Sequence, residues 1–477
     1  MLAAMSEVVD SLLVFQTMNL SIRAEKVLRA AGVLFEVLPL PKEISRGCSI
    51  AIGVTGGILS TATDVLDRSN APVEAVYRRA GDRWELAGEQ DTAVSPRLCS
   101  IYLDNNATTR PHPDVIRAVT DFLSRNPGNP SSVHSSGRRA REALEDARAA
   151  VARLIGADAS EIVFTSGGTE SNNMALFGVL AARGNTAHII TAKTEHSSVL
   201  EPCHKLEKSG ARVAYLPVDA NGIVDLEALH QAVSPDTVLI SIAYANNETG
   251  VIQPIREIAG IARRNNVLFH TDAVQAAGKI PLDVNRDGTD LLSFSAHKFQ
   301  GLKGTGALYV RKGVTVSPLL HGGGQESGLR SGTENTVGIV AMGEAATLAL
   351  NDLEETARRV ESLRDLLYEG IAERFSWVKI NGHPSRRLPN TLNLCFRDIS
   401  GEELVAFLDK EGICVSTGSA CASGEPEPSH VLLAMGLTED EARSSVRFSL
   451  GRETSAEDIE RTAQAVIRVV GRYHQSM

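Results

Sequence analysis

The sequence predicts an α/β protein whose main sheet is mostly parallel and is covered by helices on both faces. Between residues 101 and 335, apolar strand-like runs alternate with amphipathic helical stretches such as the alanine-rich stretch 136–154. Alternation of this kind is typical of βαβ units, which build parallel sheets. The predicted strands are EIVFTS, AHIITA, RVAYLPV, TVLISIAYA, NVLFHTDA, LLSFSA and GALYVR.

Two further regions flank this sheet. Residues 10–78 contain strand-like runs around a helical stretch at 19–31, which predicts a small βαβ-like α/β domain. Residues 79–99 are polar and aperiodic, as expected of a linker. Beyond residue 335, long helical stretches alternate with TLNLCFRD, ICVSTGS and VRFSLG. We therefore expect a large domain over 100–350 and a smaller C-terminal α+β lobe over 351–477.

The composition excludes several classes of function. The chain has 477 residues, 43% of them hydrophobic, and a net charge of −10 without long basic blocks. No apolar run is long enough to span a membrane, and no basic patch suggests nucleic-acid binding. The N-terminus lacks the pattern of a signal peptide, so we expect a cytoplasmic protein. The six cysteines form no CxxC pair, which argues against a zinc site. Each is either a small buried residue or a reactive thiol.

Four polar fragments follow predicted strands. Lys298 comes after LLSFS, where a lysine can be desolvated enough to attack an aldehyde. A Gly-rich turn containing Gly168 and Thr169 opens a helix and resembles a phosphate cradle. Asp272 could pair with a protonated pyridine nitrogen. His196 could stack on a flat ring or move protons.

Each fragment also has an ordinary structural interpretation. A single lysine usually lies at the surface, and a glycine often serves only a turn. Asp272 could be a helix N-cap with Gln275 as its capping-box partner, and His196 a hydrogen-bonded loop residue. Ligands of open α/β sheets bind at the carboxyl ends of strands. The shared position of the four fragments therefore favours a binding site.

Ten motifs occur in the order seen in NifS/IscS-type cysteine desulfurases, and the chain resembles that family over residues 100–477. The motifs are YLDNNATTR, GNPSSVHSSG, FTSGGTES, TEHSSV, ANNETG, HTDAVQAAGK, SFSAHKFQGLKG, RSGTEN, STGSACASG and SVRFSLGR. The resemblance implies the class-V aminotransferase, fold-type I architecture, a homodimer and pyridoxal 5'-phosphate (PLP) as cofactor.

The resemblance also implies roles for individual residues. Lys298 would bind the cofactor aldehyde, and His196 would stack on its ring and assist proton transfer. The remaining cofactor contacts would be Asp272 at the ring nitrogen, Gln275 and Asn247 at the ring substituents, Gly168, Thr169, Ser295 and His297 at the phosphate, and Thr333 at the phosphate of the partner subunit. Arg447, assisted by Asn129, would clamp the substrate carboxylate.

Cys421 is the expected sulfur-accepting thiol. Its surroundings, STGSACASGEPEPSH, are rich in Ser, Gly and Pro and favour a loop rather than a core strand. The resemblance implies that Cys421 takes sulfur from L-cysteine as a persulfide, that L-alanine is released, and that the sulfur serves iron–sulfur cluster or other thio-cofactor synthesis. The final acceptor is open.

Residues 10–78 resemble small selenium/sulfur carrier domains through the run LPLPKEISRGC. Cys48 follows a glycine, with Lys42 and Arg46 nearby to favour a thiolate, so it is a candidate sulfur acceptor. It could equally begin the strand SIAIGV. Two alternatives to a desulfurase stay open: a selenocysteine lyase or selenium-delivery enzyme with the same cofactor, and a non-catalytic sulfur-relay or scaffold-binding protein.

Overall fold

The chain divides into two compact units, Met1–Leu98 and Cys99–Met477, in a computed structural model. Each unit has its own hydrophobic core. Among the described residues, none of the helices combines the length and apolarity needed to cross a membrane. The structure describes residues 9–15, 18–41, 44, 50–69, 71, 73–80, 83–87, 101–183, 187–418 and 427–475.

The N-terminal unit is a five-stranded antiparallel sheet with two helices. Its strand order is β2-β3-β1-β4-β5, and apolar side chains of both helices pack on one face of the sheet. Because every pairing is antiparallel, the predicted βαβ-like connection is wrong, although the three predicted strands and the first helix are present. The elements are β1 (Ser11–Val14), α1 (Met18–Ala30), β2 (Glu36–Pro39), β3 (Ile50–Val54), α2 (Gly56–Arg68), β4 (Ala75–Ala80) and β5 (Arg83–Leu86).

The predicted linker begins too early. Strand β4 continues to Ala80 and pairs with β5, so residues 79–80 and 83–86 belong to strands of the sheet. Strand β5 lies at the edge, where most of its side chains are exposed. An edge strand needs no apolar alternation, which is why its polar sequence looked aperiodic.

The second unit is built on a seven-stranded sheet with order β7-β13-β12-β11-β10-β8-β9. Strands β8 to β12 run parallel, and β13 pairs antiparallel with both β12 and β7. All the strands predicted for this sheet are present, so the mostly parallel architecture is confirmed. The strands are β7 (Ile162–Thr165), β8 (His188–Ala192), β9 (Arg212–Leu216), β10 (Thr237–Ser241), β11 (Leu268–Asp272), β12 (Leu291–Ser295) and β13 (Gly306–Val310).

Helices accompany this sheet and enclose two apolar clusters against it. Except for the edge strand β9, the parallel strands are almost wholly buried, which explains their continuous apolar runs in the sequence. The helices are α3 (Pro113–Arg125), α4 (Ser135–Leu154), α5 (Gly168–Arg183), α6 (Ser197–Lys208), α7 (Leu226–Ala232), α8 (Ile255–Arg264), α9 (Val284–Asp287) and α10 (Thr336–Asn351).

The C-terminal lobe has a third core around the antiparallel sheet β14-β15-β17. Strand β6 (Ile101–Tyr102) pairs with β16 of this lobe, and Ile101 and Leu103 lie in its core. We predicted that the large domain begins at residue 100, which is wrong for Ile101 and Leu103 because they pack in the C-terminal lobe. Other elements are α11 (Leu353–Ala372), β14 (Lys379–Ile380), β15 (Thr391–Cys395), α12 (Gly401–Lys410), β16 (Ile413–Cys414), α13 (His430–Ala434), α14 (Glu439–Arg443), β17 (Ser445–Ser449) and α15 (Ala456–Gln475).

Candidate active site

Lys298 lies just beyond β12, at the end of a short 3-10 helix, Ala296–Lys298. Its Nζ donates hydrogen bonds to the carbonyl oxygens of Asn106 (2.6 Å) and Ala107 (2.8 Å). Burial, reinforced by the nearby charge of Arg447, lowers the pKa of Lys298 to about 8. Near neutral pH, a useful fraction of this amine is uncharged and can attack an aldehyde.

Asp272 is the last residue of the parallel strand β11 and is 8% exposed. Its Oδ1 accepts from the backbone N–H of Val274 (2.9 Å), and its Oδ2 accepts from Nδ2 of Asn172 (2.7 Å). A turn, not a helix, follows it, so the alternative of a helix N-cap is wrong. Gln275 is not a capping-box partner either, because its side chain donates to the carbonyl of Asn106 (3.0 Å).

His196 is the N-cap residue of α6, and its Nδ1 accepts from the backbone N–H of Ser198 (3.1 Å). The rest of the ring is open to a cleft of about 420 Å³ that Thr169 and Phe177 also line. Burial, partly offset by Asp272, lowers the pKa of His196, which favours the neutral form of the ring. An open, neutral ring is suited to stacking against a flat ligand.

The Gly-rich turn opens α5, and Gly168 and Thr169 are its first residues. The N–H groups at the start of a helix have no acceptor within the helix, so they are available to an anion. A side chain at position 168 would place Cβ 2.6 Å from Cγ2 of Val274, so the turn requires glycine there. A glycine at the start of a helix is consistent with the phosphate cradle that the sequence predicts.

Ser295 and His297 lie at the end of β12 and just beyond it. Ser295 is buried, and its Oγ is 3.4 Å from the carbonyl of Thr305. His297 Nδ1 is 3.1 Å from Oγ1 of Thr108. Burial, followed by the charge of Lys298, lowers the pKa of His297 to about 4, so this ring is a neutral hydrogen-bonding group.

Arg447, on β17 of the C-terminal lobe, is 4% exposed. Its Nη1 donates to the carbonyl of Asn247 (3.0 Å), and its Nη2 pairs with Oδ1 of Asp104 (2.6 Å). Its Nε is buried without an acceptor among the described residues. A buried guanidinium with an unused donor is suited to binding a carboxylate.

Two polar residues at the centre of the site, Asn106 and Lys279, were missed in the sequence. Asn106 is 1% exposed, and its Oδ1 accepts from Nζ of Lys279 (2.9 Å) and Nδ2 of Asn390 (2.9 Å). Lys279 also donates to Oε1 of Gln275 (2.7 Å). Burial, followed by Lys298, lowers the pKa of Lys279 well below its usual value. The motifs YLDNNATTR and HTDAVQAAGK contained both residues, but nothing local showed that they meet.

Four predicted residues are not joined to this cluster by the described contacts. Asn129 is exposed, and its Oδ1 accepts from the N–H of Ser131 (2.8 Å) instead of contacting Arg447. Thr333 is exposed in the loop before α10. Cys421 and Cys48 lie outside the described residues.

Comparisons with known proteins identify the family. The sequence profile for class-V aminotransferases matches residues 101–462. The chain belongs to the class-V aminotransferase family. Residues 10–78 match a second profile, described as Se/S carrier protein-like.

Individual relatives agree with the enzyme profile. Over 373 residues the chain is 50% identical to cysteine desulfurase IscS of Dictyoglomus turgidum, covering 78% of this chain and 94% of that protein. A solved NifS-like protein is 41% identical with a TM-score of 0.73, covering 78% of this chain and 99% of its own. The solved structure of SspA in complex with cysteine is 37% identical with a TM-score of 0.66, covering 75% of this chain and all of its own (100%). The predicted fold-type I architecture is confirmed.

The site fits the cofactor on which this family depends, PLP. An amine of lowered pKa, a carboxylate at a strand end and a glycine-requiring helix start match its aldehyde, its ring nitrogen and its phosphate. The buried guanidinium of Arg447 lies in the same cluster as this amine.

We predict that Asn106→Ala destabilises the enzyme unit by roughly 2–4 kcal/mol, because it removes the four hydrogen bonds that this buried side chain makes, to Lys279, Asn390, Asn247 and Thr391. Asn285→Ala is the control, since it removes one exposed bond to the carbonyl of Gly156 and should cost about 1 kcal/mol or less. The free energy of unfolding of both variants is measured by urea titration in a Trp84→Phe background, with the fluorescence of Trp377 as the signal. Equal effects would contradict the central role of Asn106.

Proposed function

We propose that this chain is a PLP-dependent cysteine desulfurase that takes sulfur from L-cysteine, releases L-alanine and holds the sulfur as a persulfide on Cys421. The observation that carries the proposal is the arrangement of Lys298, with its lowered pKa, together with Asp272 and Arg447 in one buried cluster. The names of the relatives support it, since they are cysteine desulfurases and one related structure contains cysteine.

The residues around Lys298 would hold the cofactor. Lys298 binds its aldehyde and Asp272 its ring nitrogen, with Gln275 and Asn247 at the ring substituents and His196 against the ring face. When bound, the cofactor draws electrons away from the substrate Cα. The phosphate would lie among Gly168, Thr169, Ser295 and His297, where a helix start and two neutral polar groups offer hydrogen bonds.

Arg447 would bind the substrate carboxylate and thereby fix which atoms of cysteine face Lys298. Its pairing with Asp104 and Asn247 holds the guanidinium plane in place. Asn129 would assist from its exposed loop. With the substrate fixed, the Lys298 amine accepts the proton of Cα and later returns it.

Cys421 would accept the sulfur as a thiolate. Its Sγ forms an S–S bond to the substrate sulfur while the C–S bond of the substrate breaks. The electron pair of the broken bond stays with the substrate carbon, which takes up a proton and becomes the methyl group of alanine. The sulfur leaves with Cys421 as a persulfide, so no external oxidant is needed.

The match of residues 10–78 to a Se/S carrier profile favours a second candidate, a selenocysteine lyase or selenium-delivery enzyme built on the same site. The buried cluster around Lys298 would serve both substrates. They differ in the need for a thiol, because selenium can be released without Cys421 whereas persulfide formation cannot.

We predict that Cys421→Ser keeps the cofactor absorbance but lowers sulfur release from cysteine by roughly 10²–10⁴-fold or more, whereas Lys298→Ala loses both. Cys414→Ser, a half-buried thiol on β16, is the control. Absorbance spectra and sulfide release measure the two properties separately. Loss of cofactor in Cys421→Ser would make that thiol structural. Two results together would favour the selenium enzyme. Selenium release from selenocysteine would survive in Cys421→Ser, and cysteine would compete only weakly with selenocysteine for the wild-type enzyme.

We also propose a homodimer in which Thr333 completes the phosphate site of the partner. Arg330 Nε donates to Oε1 of Glu170 (2.8 Å), and Oε2 of Glu170 accepts from the N–H of Ser166 (2.8 Å). These bonds tie the Thr333 loop to the Gly-rich turn of its own chain. Thr333 itself is exposed and so available to a second copy.

Dilution to the monomer should therefore release the cofactor, and Thr333→Ala should weaken cofactor binding while the dimer persists. Sedimentation at several protein concentrations, read at the cofactor absorbance, measures both. A monomer that keeps its cofactor and full activity would contradict the shared site.

The carrier-like domain suggests the next step for sulfur. Cys48 falls within the Se/S carrier match and would accept sulfur from the Cys421 persulfide. Covalent linkage raises the effective concentration of such an acceptor to roughly millimolar, provided that the linker spans the gap. The acceptor beyond Cys48, an iron–sulfur scaffold or another protein, and a cytoplasmic location stay predictions.

After one turnover with sulfur-labelled cysteine, we expect label on Cys421 and then on Cys48. Cys48→Ser should stop the second transfer. Cys99, at the end of the predicted linker, is a second possible acceptor, and Cys99→Ser should leave the transfer unchanged. Peptide mapping of persulfides by mass spectrometry distinguishes the two. Label that never reaches Cys48, with unchanged delivery to added acceptors in Cys48→Ser, would leave the N-terminal unit a docking or regulatory module.

A further inference from the structure

A chain of hydrogen bonds connects Asp272 to His196. Asn172, which is fully buried on α5, donates through Nδ2 to Oδ2 of Asp272 (2.7 Å) and to Oγ of Ser198 (2.9 Å). Ser198 Oγ in turn lies 2.8 Å from Nδ1 of His196. Two groups predicted to contact opposite parts of one ligand therefore share a connection through two intervening side chains.

The direction of this chain is fixed at the Asp272 end. A carboxylate is only an acceptor, so the amide NH₂ of Asn172 must face Asp272. The same NH₂ donates a hydrogen bond to Ser198 Oγ. The hydroxyl hydrogen of Ser198 can therefore point at His196 Nδ1. The amide nitrogen of Asn172 therefore makes two hydrogen bonds, whereas its Oδ1 is buried and accepts none from the described residues.

The tautomer of His196 follows from this direction. Nδ1 accepts from both the Oγ–H and the backbone N–H of Ser198. Its lone pair is therefore engaged, and in the neutral ring the proton must be on Nε2. In the resting enzyme His196 offers a proton at Nε2 and has no lone pair there to accept one.

We propose that Asn172 and Ser198 are positioning residues that hold His196 as the neutral Nε2–H tautomer, so that His196 enters the reaction as a hydrogen-bond donor and Lys298 is the proton acceptor. The consequence for the reaction rests on the proposed desulfurase function. The tautomer itself rests only on the described contacts.

The charges around His196 act on the same equilibrium. Burial is the largest influence on its pKa and lowers it, Asp272 on β11 raises it, and Lys298 and His430 lower it. On its own helix, Glu201 and Lys205 line the same cleft. A hydrogen bond donated to Nδ1 stabilises the neutral ring, so loss of the Ser198 hydroxyl should raise the pKa.

The experiment uses the full-length holoenzyme with ¹⁵N-labelled histidine. Nitrogen chemical shifts of the His196 ring, assigned by their loss in His196→Gln, report which nitrogen carries the proton and at what pH the ring titrates. We expect the Nε2–H form in the wild type. In Ser198→Ala the titration should move up by roughly 0.4 to 1 pH unit, the equivalent of one net hydrogen bond.

Activity supplies a second measurement with a defined sign. If the neutral ring is the working form, the acid limb of kcat/KM in Ser198→Ala moves to higher pH by the same amount. Ser198→Thr, which keeps a hydroxyl, should restore the wild-type limb. Ser209→Ala, an exposed serine after the same helix, should leave it unchanged. Asn172→Ala should shift the limb in the same direction as Ser198→Ala.

Three results would overturn the proposal: a wild-type ring protonated at Nδ1, an unchanged titration in Ser198→Ala, or a loss of activity in Ser198→Ala that is equal at every pH. If Asn172→Ala does not fold, the two Ser198 variants still decide. A wild type without desulfurase activity would refute the proposed function, but the ring nitrogens would still report the tautomer.

Discussion

The contacts of Asn106 hold the two halves of the candidate site together. Its backbone carbonyl accepts from Lys298 (2.6 Å) and Gln275 (3.0 Å), which lie just beyond two neighbouring strands of the large sheet. Its Nδ2 donates to the carbonyl of Asn247 (3.1 Å) and to Oγ1 of Thr391 (2.8 Å) in the C-terminal lobe. Because Asn106 is buried, water could not replace these hydrogen bonds if the residue were displaced. The geometry of the site therefore depends on one short segment, which begins next to the lobe strand β16 and ends against the large sheet.

Electrostatics explains why so many cations can be buried there. Burial lowers the pKa of both Lys298 and Lys279. The nearby positive charges, including that of Arg447, lower both pKa values further. Asp104 pairs with Arg447, and Asp272 opposes the shift at Lys298. Because its pKa is lowered, a buried lysine can lose its proton, and the neutral amine avoids the free-energy cost of removing a charge from water. The guanidinium of Arg447 remains in the same cluster and suits a substrate carboxylate.

The N-terminal unit adds a second fold with a separate core of its own. Its antiparallel sheet shares none of the strands of the enzyme unit. Fusion of a carrier-like domain to a sulfur-transferring enzyme changes the concentration of an acceptor rather than the chemistry of the site. The contacts described around Lys298 all come from the second unit, and Cys421 lies outside the described residues.

The sequence by itself determined the large sheet, because buried parallel strands appear as continuous apolar runs whatever surrounds them. It also placed Lys298, Asp272, His196 and Gly168 at strand ends, since their motifs are local. It did not show the edge strand β5, whose exposed side chains leave no apolar pattern, nor the return of Ile101 and Leu103 to the C-terminal core. The tertiary structure alone decided which distant residues meet: Asp104 with Arg447, Asn106 with Lys279, and Asn172 with Asp272. Those pairs are set by how the chain folds back on itself, and hydrogen-bond partners hundreds of residues apart leave no periodic signal in a single sequence.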